Sequence, residues 1–286
     1  MSGALTIARY TLIEASRRRL LITVAILTVV MAVFTTWGFS RLNTLQCGQQ
    51  PCAPTEIRLA TAFLLIVVAY MYNVVLAMGS VFVTAPAIAG ELESGLALAI
   101  LPRPIGRGAI LLGKWLGLGV LVVFYAVATG AIEFLGVKLV VDYLPPHPIQ
   151  ALLYLAGESL ILLTLALLLS TRLSPMTGGV IAVVVFGMAW LAGFAEQIGL
   201  AFDNLTLINV GVVMSMLLPT DGLWRGAVYS MEPVAVLALG SSSRAASAGS
   251  PFFVQAPPTT PYVLWAAIWV VVILGLAVFS FQRRDV

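Results

Sequence analysis

Charge is scarce in this sequence: Asp, Glu, Lys and Arg make up 9% of its 286 residues, roughly a third of the share in soluble domains. A chain so poor in charge is not built for water. Short strands of alternating polarity are missing as well, which excludes a membrane barrel. Histidine occurs once, as His147 in Leu-Pro-Pro-His-Pro. With no cysteine or carboxylate cluster around it, no zinc site of the usual kind can be assembled, and a turn role fits it. The many serines have no nucleophile elbow, and no set of His, Asp or Cys gathers at one membrane face, so nothing argues for hydrolysis. No internal repeat is evident. A cleavable leader is not expected, because Arg9, Glu14, Arg17, Arg18 and Arg19 precede the first apolar run without a prompt small-residue cleavage site.

Apolar length is what the sequence has in plenty. Its residues are 60% hydrophobic, with a mean hydropathy of +1.04. A spanning helix needs about 20 mostly apolar residues, since the bilayer leaves no backbone group free to bond water. Six runs clear that length: 20–40, 59–83, 109–136, 149–170, 176–199 and 261–281. The expected fold is all-α, a single polytopic transmembrane domain over 1–286. The segment 200–260 holds two shorter apolar stretches, 205–218 and 226–239, interrupted by Pro219-Thr-Asp-Gly222. They fit re-entrant or interfacial helices, and together they also fit a hairpin that would raise the count to eight. Residues 240–260, rich in Ser, Ala, Gly and Pro, read as a loop. In 1–19, Leu5, Ala8, Leu12 and Ala15 share one helical face while Glu14, Arg17 and Arg18 point away. That pattern suits a helix lying in the interface and equally a basic flank that fixes orientation. Gly113 and Gly117, then Ala126 and Gly130, recur at the four-residue interval of close helix contact.

With six spans both termini share a side. Arg9, Arg17, Arg18, Arg19, Arg103, Arg107, Lys114, Arg172, Arg283 and Arg284 fall there, against Arg41, Arg58, Lys138, Arg225 and Arg244 opposite. Ten to five puts both termini in the cytoplasm. Trp37, Trp265 and Trp269 then lie toward the outer ends of their spans, as interfacial anchors would. Pro219-Thr-Asp-Gly-Leu-Trp224-Arg225 reads as a surface anchor or a lid. Cys47 and Cys52 share an outward loop, where a disulfide between them is expected. The basic residues are scattered at helix ends, not gathered on a soluble face, which sets nucleic acid aside as a partner.

The most informative segment is 86–107 and its continuation to Lys114. Glu91 and Glu93 suit a helix N-terminus, Pro102 and Pro104 stop the helix, and Arg103 and Arg107 stand where the chain re-enters the membrane. Leu96, Leu98, Ile100 and Leu101 between them need an apolar partner. Gly108 to Lys114 mimics a phosphate-binding loop, but Trp115 takes the place of the magnesium-ligating Ser or Thr and no strand precedes it. Nucleotide chemistry must therefore come from another chain.

Glu91 or Glu93, Gly95, Leu101, Pro104, Arg107, Gly113 and Lys114 resemble, in order and spacing, the loop between the second and third spans of ABC type-2 exporter permeases. Leu96 and Gly106 depart from it, at positions where Thr, and Ser or Thr, are frequent. The resemblance implies that this loop is a coupling helix seated in a separate ATPase subunit, docked through Glu91, Glu93, Gly95, Leu98, Leu101, Pro102, Arg103, Pro104 and Arg107. It further implies a non-catalytic chain in a prokaryotic inner membrane that binds no cofactor itself, ATP and Mg belonging to the ATPase. Two copies, or this chain with a related permease, would form the pathway amid membrane lipid.

Ionisable groups inside spans are costly and are functional candidates by default. Glu133, Glu158 and Glu196 are such groups, and Asn73 is a possible partner of Glu158. For Glu133 and Glu196 the expected role is a hydrogen bond to a neighbouring helix or a carboxylate reaching the outer interface. For Glu158 a pathway role and a helix contact fit equally. Two rival functions follow: a proton-driven secondary transporter using Glu158 and Glu133, and an ATP-driven envelope-assembly complex that moves no solute.

Overall fold

The computed structural model describes residues 2–16, 19–44, 46–47, 50–93, 106–233, 254 and 256–284. Its helices are α1 (Ser2–Ser16), α2 (Arg19–Ser40), α3 (Pro54–Thr84), α4 (Pro86–Glu93), α5 (Arg107–Val141), α6 (Pro148–Ser170), α7 (Pro175–Ala201), α8 (Leu205–Leu217), α9 (Thr220–Met231) and α10 (Thr260–Gln282). A two-residue hairpin, Gln46–Cys47 with Gln50–Pro51, is the only strand pairing among the described residues. Proline opens α3, α6, α7 and α10 within their first turns, where its missing N–H costs nothing. The helices overrun the apolar runs of the sequence. The second span extends to 54–84 and the third to 107–141, where Asp142 ends it in the left-handed region at φ 53°.

Among the described residues, five helices are long and apolar enough to cross a membrane: α3 with α4, then α5, α6, α7 and α10. The chain is a multi-pass membrane protein. In α2 the described apolar part, Ala25–Ser40, is shorter than that length. The helix touches the bundle through few groups: Thr28 meets the Tyr125 hydroxyl at 2.5 Å, and Thr35 donates to Glu133 at 3.1 Å. Its other side, with Ile26, Val30, Val33 and Phe34, is exposed.

α6 is the central element. Leu162, Leu163, Ala166 and Leu167 are wholly buried, and the helix packs on α3, α5, α7, α9 and α10. The small-residue spacing in α5 is used on both sides. A Cβ on Gly113 would stand 2.7 Å from the Ala4 carbonyl oxygen, and one on Gly117 2.7 Å from that of Ala8, so α1 lies directly on α5. Further along, Ala126 is fully buried and a Cβ on Gly130 would overlap Leu152 of α6. Close approach also decides which face of α1 is inside. Ala8 and Ala15 are buried as expected, but Leu5 is 62% exposed and its place is taken by Ala4, Ile7 and Thr11. The glycine ridge thus meets the α1 backbone and the branched side chains of Ile7 and Thr11. Arg17 and Arg18 lie outside the described residues.

α8 and α9 form one bent unit, their axes 98° apart at Leu218–Pro219. Proline cannot continue α8, and Asp221 favours the first turn of a new helix. The second helix therefore starts at Thr220, not at Gly226. Its far end lies beside the start of α6, where the His147 N–H donates to the Ser230 carbonyl at 3.1 Å. Its near end begins from α7 through a short turn capped by Asn204. Since α6 and α7 run in opposite directions, both ends of the bent unit lie at one end of the bundle.

Candidate functional site

Two regions carry the polar chemistry. The first is the base of the loop between α4 and α5. α3 breaks at Ala85, and Pro86 restarts the chain as α4, whose last turn brings Glu91 toward α5. Lys114 Nζ sits 2.5 Å from a Glu91 carboxylate oxygen, with side-chain exposures of 9% and 25%, and also donates to the Ala87 carbonyl. A buried ammonium needs such partners, since desolvating it unpaired is expensive. Thr11 and Glu14 of α1 line the same small cavity of about 30 Å³, room for a water. Glu14, though exposed, borders this cavity. Glu93 is exposed. Arg107 donates to the carbonyls of Gln282 and Arg284 at 3.3 and 2.7 Å, while Arg284 donates to Thr171 and Arg172 to Ser280. The start of α5, the end of α6 and the end of α10 are thus tied together at this face. Gly95, Leu98, Leu101, Pro102, Arg103 and Pro104 lie outside the described residues.

The second region is a buried polar cluster deep in the bundle. Glu158 of α6 is 2% exposed and accepts from Asn73 of α3 at 3.1 Å. Its other oxygen is buried without a hydrogen bond. Nearby, Arg225 of α9 reaches Asp221 at 2.7 Å and Glu196 of α7 at 2.8 Å, and donates to the Gly193 carbonyl at 3.1 Å. Gly193 is required there, because a Cβ would overlap the Asp221 carboxylate. Glu133 lies in a separate contact with Thr35, and no hydrogen bond joins it to Glu158. Glu133 and Glu196 thus each contact a neighbouring helix, α2 and α9 respectively.

Two sequence expectations are corrected by these contacts. Trp224 and Arg225 form no surface anchor: Trp224 is 3% exposed and packs edge-on to Tyr70 with centroids 5.5 Å apart. Amphipathic α9 buries its polar side because Glu196 supplies the counter-charge. Trp265 and Trp269 donate to the carbonyls of Met216 and Leu217 at 3.0 and 2.8 Å. They satisfy the open C-terminus of α8, not a headgroup layer. Trp37 does stand exposed, with the Arg41 guanidinium 5.1 Å from its ring centroid. In the loop before α3, Cys52 is disulfide-bonded, while the Cys47 side chain lies outside the described residues.

Comparison with known proteins covers nearly the whole chain. Residues 6–286 match the family described as ABC-2 family transporter protein. The chain is 28% identical over 293 residues to the probable ABC transporter permease protein NosY of Pseudomonas aeruginosa, covering 98% of each. It is 28% identical over 143 residues to the protein of that description from Stutzerimonas stutzeri, covering 50% of this chain and 48% of the relative.

Proposed function

The chain belongs to the ABC-2 family of transporter proteins, and from that premise we propose that it is the non-catalytic permease subunit of an ATP-driven exporter, coupled to a separate ATPase. The observation that carries the reading is the base of the α4–α5 loop. A segment meant to pass force inward needs a stiff footing. Here Lys114 joins α4 to α5, the glycine ridge seats α1 on α5, and Arg107 ties α5 to the end of α10. ATP and Mg belong to the partner.

The loop docks on the ATPase through Glu93, Gly95, Leu98, Leu101, Pro102, Arg103, Pro104 and Arg107, with Glu91 holding it to the membrane domain. Six spans, with α2 as the first, place both termini in the cytoplasm of a prokaryote. Two copies, or this chain with a related permease, form the pathway. On the opposite side Cys47 is the partner of Cys52. Asn73 and Glu158 are the one candidate pair for a pathway role, since Glu133 is engaged by α2.

Co-purification from membranes tests the proposal. The expected result is a stable complex with an ATPase, from which Glu93→Lys releases the ATPase without unfolding the chain. Active transport by the isolated chain, or transport driven by a proton gradient without ATP, overturns it.

A further inference from the structure

A groove of about 770 Å³ runs between α6 and α10, backed by α9 and closed at one end by Trp115 of α5. Its lining changes along its length. His147 and Gln150 stand at the open end with Tyr229 and Ser230 beside them, whereas Leu160, Ile161 and Val270 line the deep part. The side chains of His147 and Gln150 are exposed and make no hydrogen bond within the described structure. At the closed end Trp115 is fixed, its indole N–H donating to Thr164 Oγ1 at 2.9 Å.

Length and volume decide what fits. From Gln150 to Ile161 the groove follows α6 for about 16 Å at 1.5 Å per residue, about half of a hydrocarbon core that is roughly 30 Å thick. It is one leaflet deep. A helix of a second copy, about 10–12 Å across, is wider than a seam between two helices that are themselves in contact. A hydrocarbon chain is thinner, and the polar mouth with unused donors and acceptors answers a headgroup.

We propose that this groove is a lipid site, holding one acyl chain of a phospholipid from the leaflet on the His147 side, with its headgroup against His147 and Gln150. The site is separate from the α4–α5 docking loop, so it stands whether or not an ATPase binds there. Wedged between α6 and α10, the chain fills a seam that protein side chains leave open.

Contact quenching tests this. The full chain is reconstituted in vesicles of dioleoylphosphatidylcholine or of its 9,10-dibromo counterpart, and the emission of Trp115 is taken as the difference between the chain and Trp115→Phe. The expected result is loss of most Trp115 emission in the brominated vesicles. Ala267→Phe or Gly157→Leu, which fill the groove, restore it, while Leu264→Phe outside the groove does not. Unquenched Trp115, or quenching that survives the filling substitutions, overturns the proposal. A measurement free of any variant stands beside it. Released from the same vesicles into detergent, the unaltered chain retains one phospholipid per copy in native mass spectrometry; lipid-free release overturns the site.

Discussion

Lys114 Nζ and the Glu91 carboxylate meet at 2.5 Å, joining the last turn of α4 to α5, while Glu93, two residues on, is exposed. The two glutamates of the docking segment thus have different work. Removing one member of a buried ion pair costs about 3–5 kcal/mol, and Glu91, at 25% side-chain exposure, falls at or below the low end. Glu91→Lys is expected to lower the thermal midpoint of the purified chain, and adding Lys114→Glu to recover part of it. Glu93→Lys should leave that midpoint unchanged and weaken capture of the ATPase. Equal behaviour of the two single variants in both measurements would refute this division.

The glycine ridge gives a second prediction. Gly113→Val and Gly117→Val put branched carbons where the backbone carbonyls of Ala4 and Ala8 already stand. α1 must then leave α5, and its Ala8 and Ala15 become accessible. Limited proteolysis is expected to cut within 2–16 much faster in either variant than in the parent chain. Gly187, beside whose Cβ position no atom lies within 4 Å, is the control: Gly187→Val should leave the cleavage rate unchanged. Unchanged cleavage in the ridge variants would mean that α1 is not held by this contact.

These two cases mark where the sequence was readable. The four-residue recurrence of Gly113 and Gly117 is a local signal, and so is each apolar run that became a helix, because period and length are fixed by neighbours along the chain. α9 was misjudged because its low hydropathy comes from Asp221 and Arg225, whose charges are balanced by Glu196 on another helix. Trp265 and Trp269 misled for a related reason: a tryptophan near a span end suggests an interface, yet the acceptors here are carbonyls of the chain's own α8. Pairings between distant segments leave no trace in local pattern. Lys114 showed its rarity but not its partner.

Arg225 carries the third prediction. It holds Asp221 and Glu196 together from a position 20% exposed. Arg225→Met leaves two carboxylates facing each other in the bundle, and a loss of about 3–5 kcal/mol is expected. Combining it with Asp221→Asn and Glu196→Gln removes the uncompensated charge and should recover most of the loss, since neutral or apolar replacements of buried ion pairs are often tolerated. Thermal unfolding of the parent, Arg225→Met and the triple variant in one detergent measures this. A triple variant as unstable as Arg225→Met would show that the site depends on Arg225 packing and not on charge balance.

Glu232, in the loop after α9, sets a pH dependence. It is 2% exposed, its Oε1 accepts from the Val254 N–H at 2.9 Å, and its Oε2 is buried without a hydrogen bond. Burial pushes its carboxyl up to about 7 from the ordinary 4.5, against the opposing pull of the Val254 N–H. The folded chain therefore keeps a proton that the unfolded chain has released between about pH 4.5 and 7, and the slope of stability with pH is negative there. The contribution is full below about 4.5 and lost as the pH rises through about 7; at most about 3 kcal/mol is involved, at 1.36 kcal/mol per unit. Glu232→Gln keeps an acceptor for Val254 and carries no titrating proton. The difference in unfolding free energy, variant minus parent, is expected to grow as the pH rises from about 5 to 8. A difference that stays flat across that window would mean that Glu232 is ionised in the folded chain throughout.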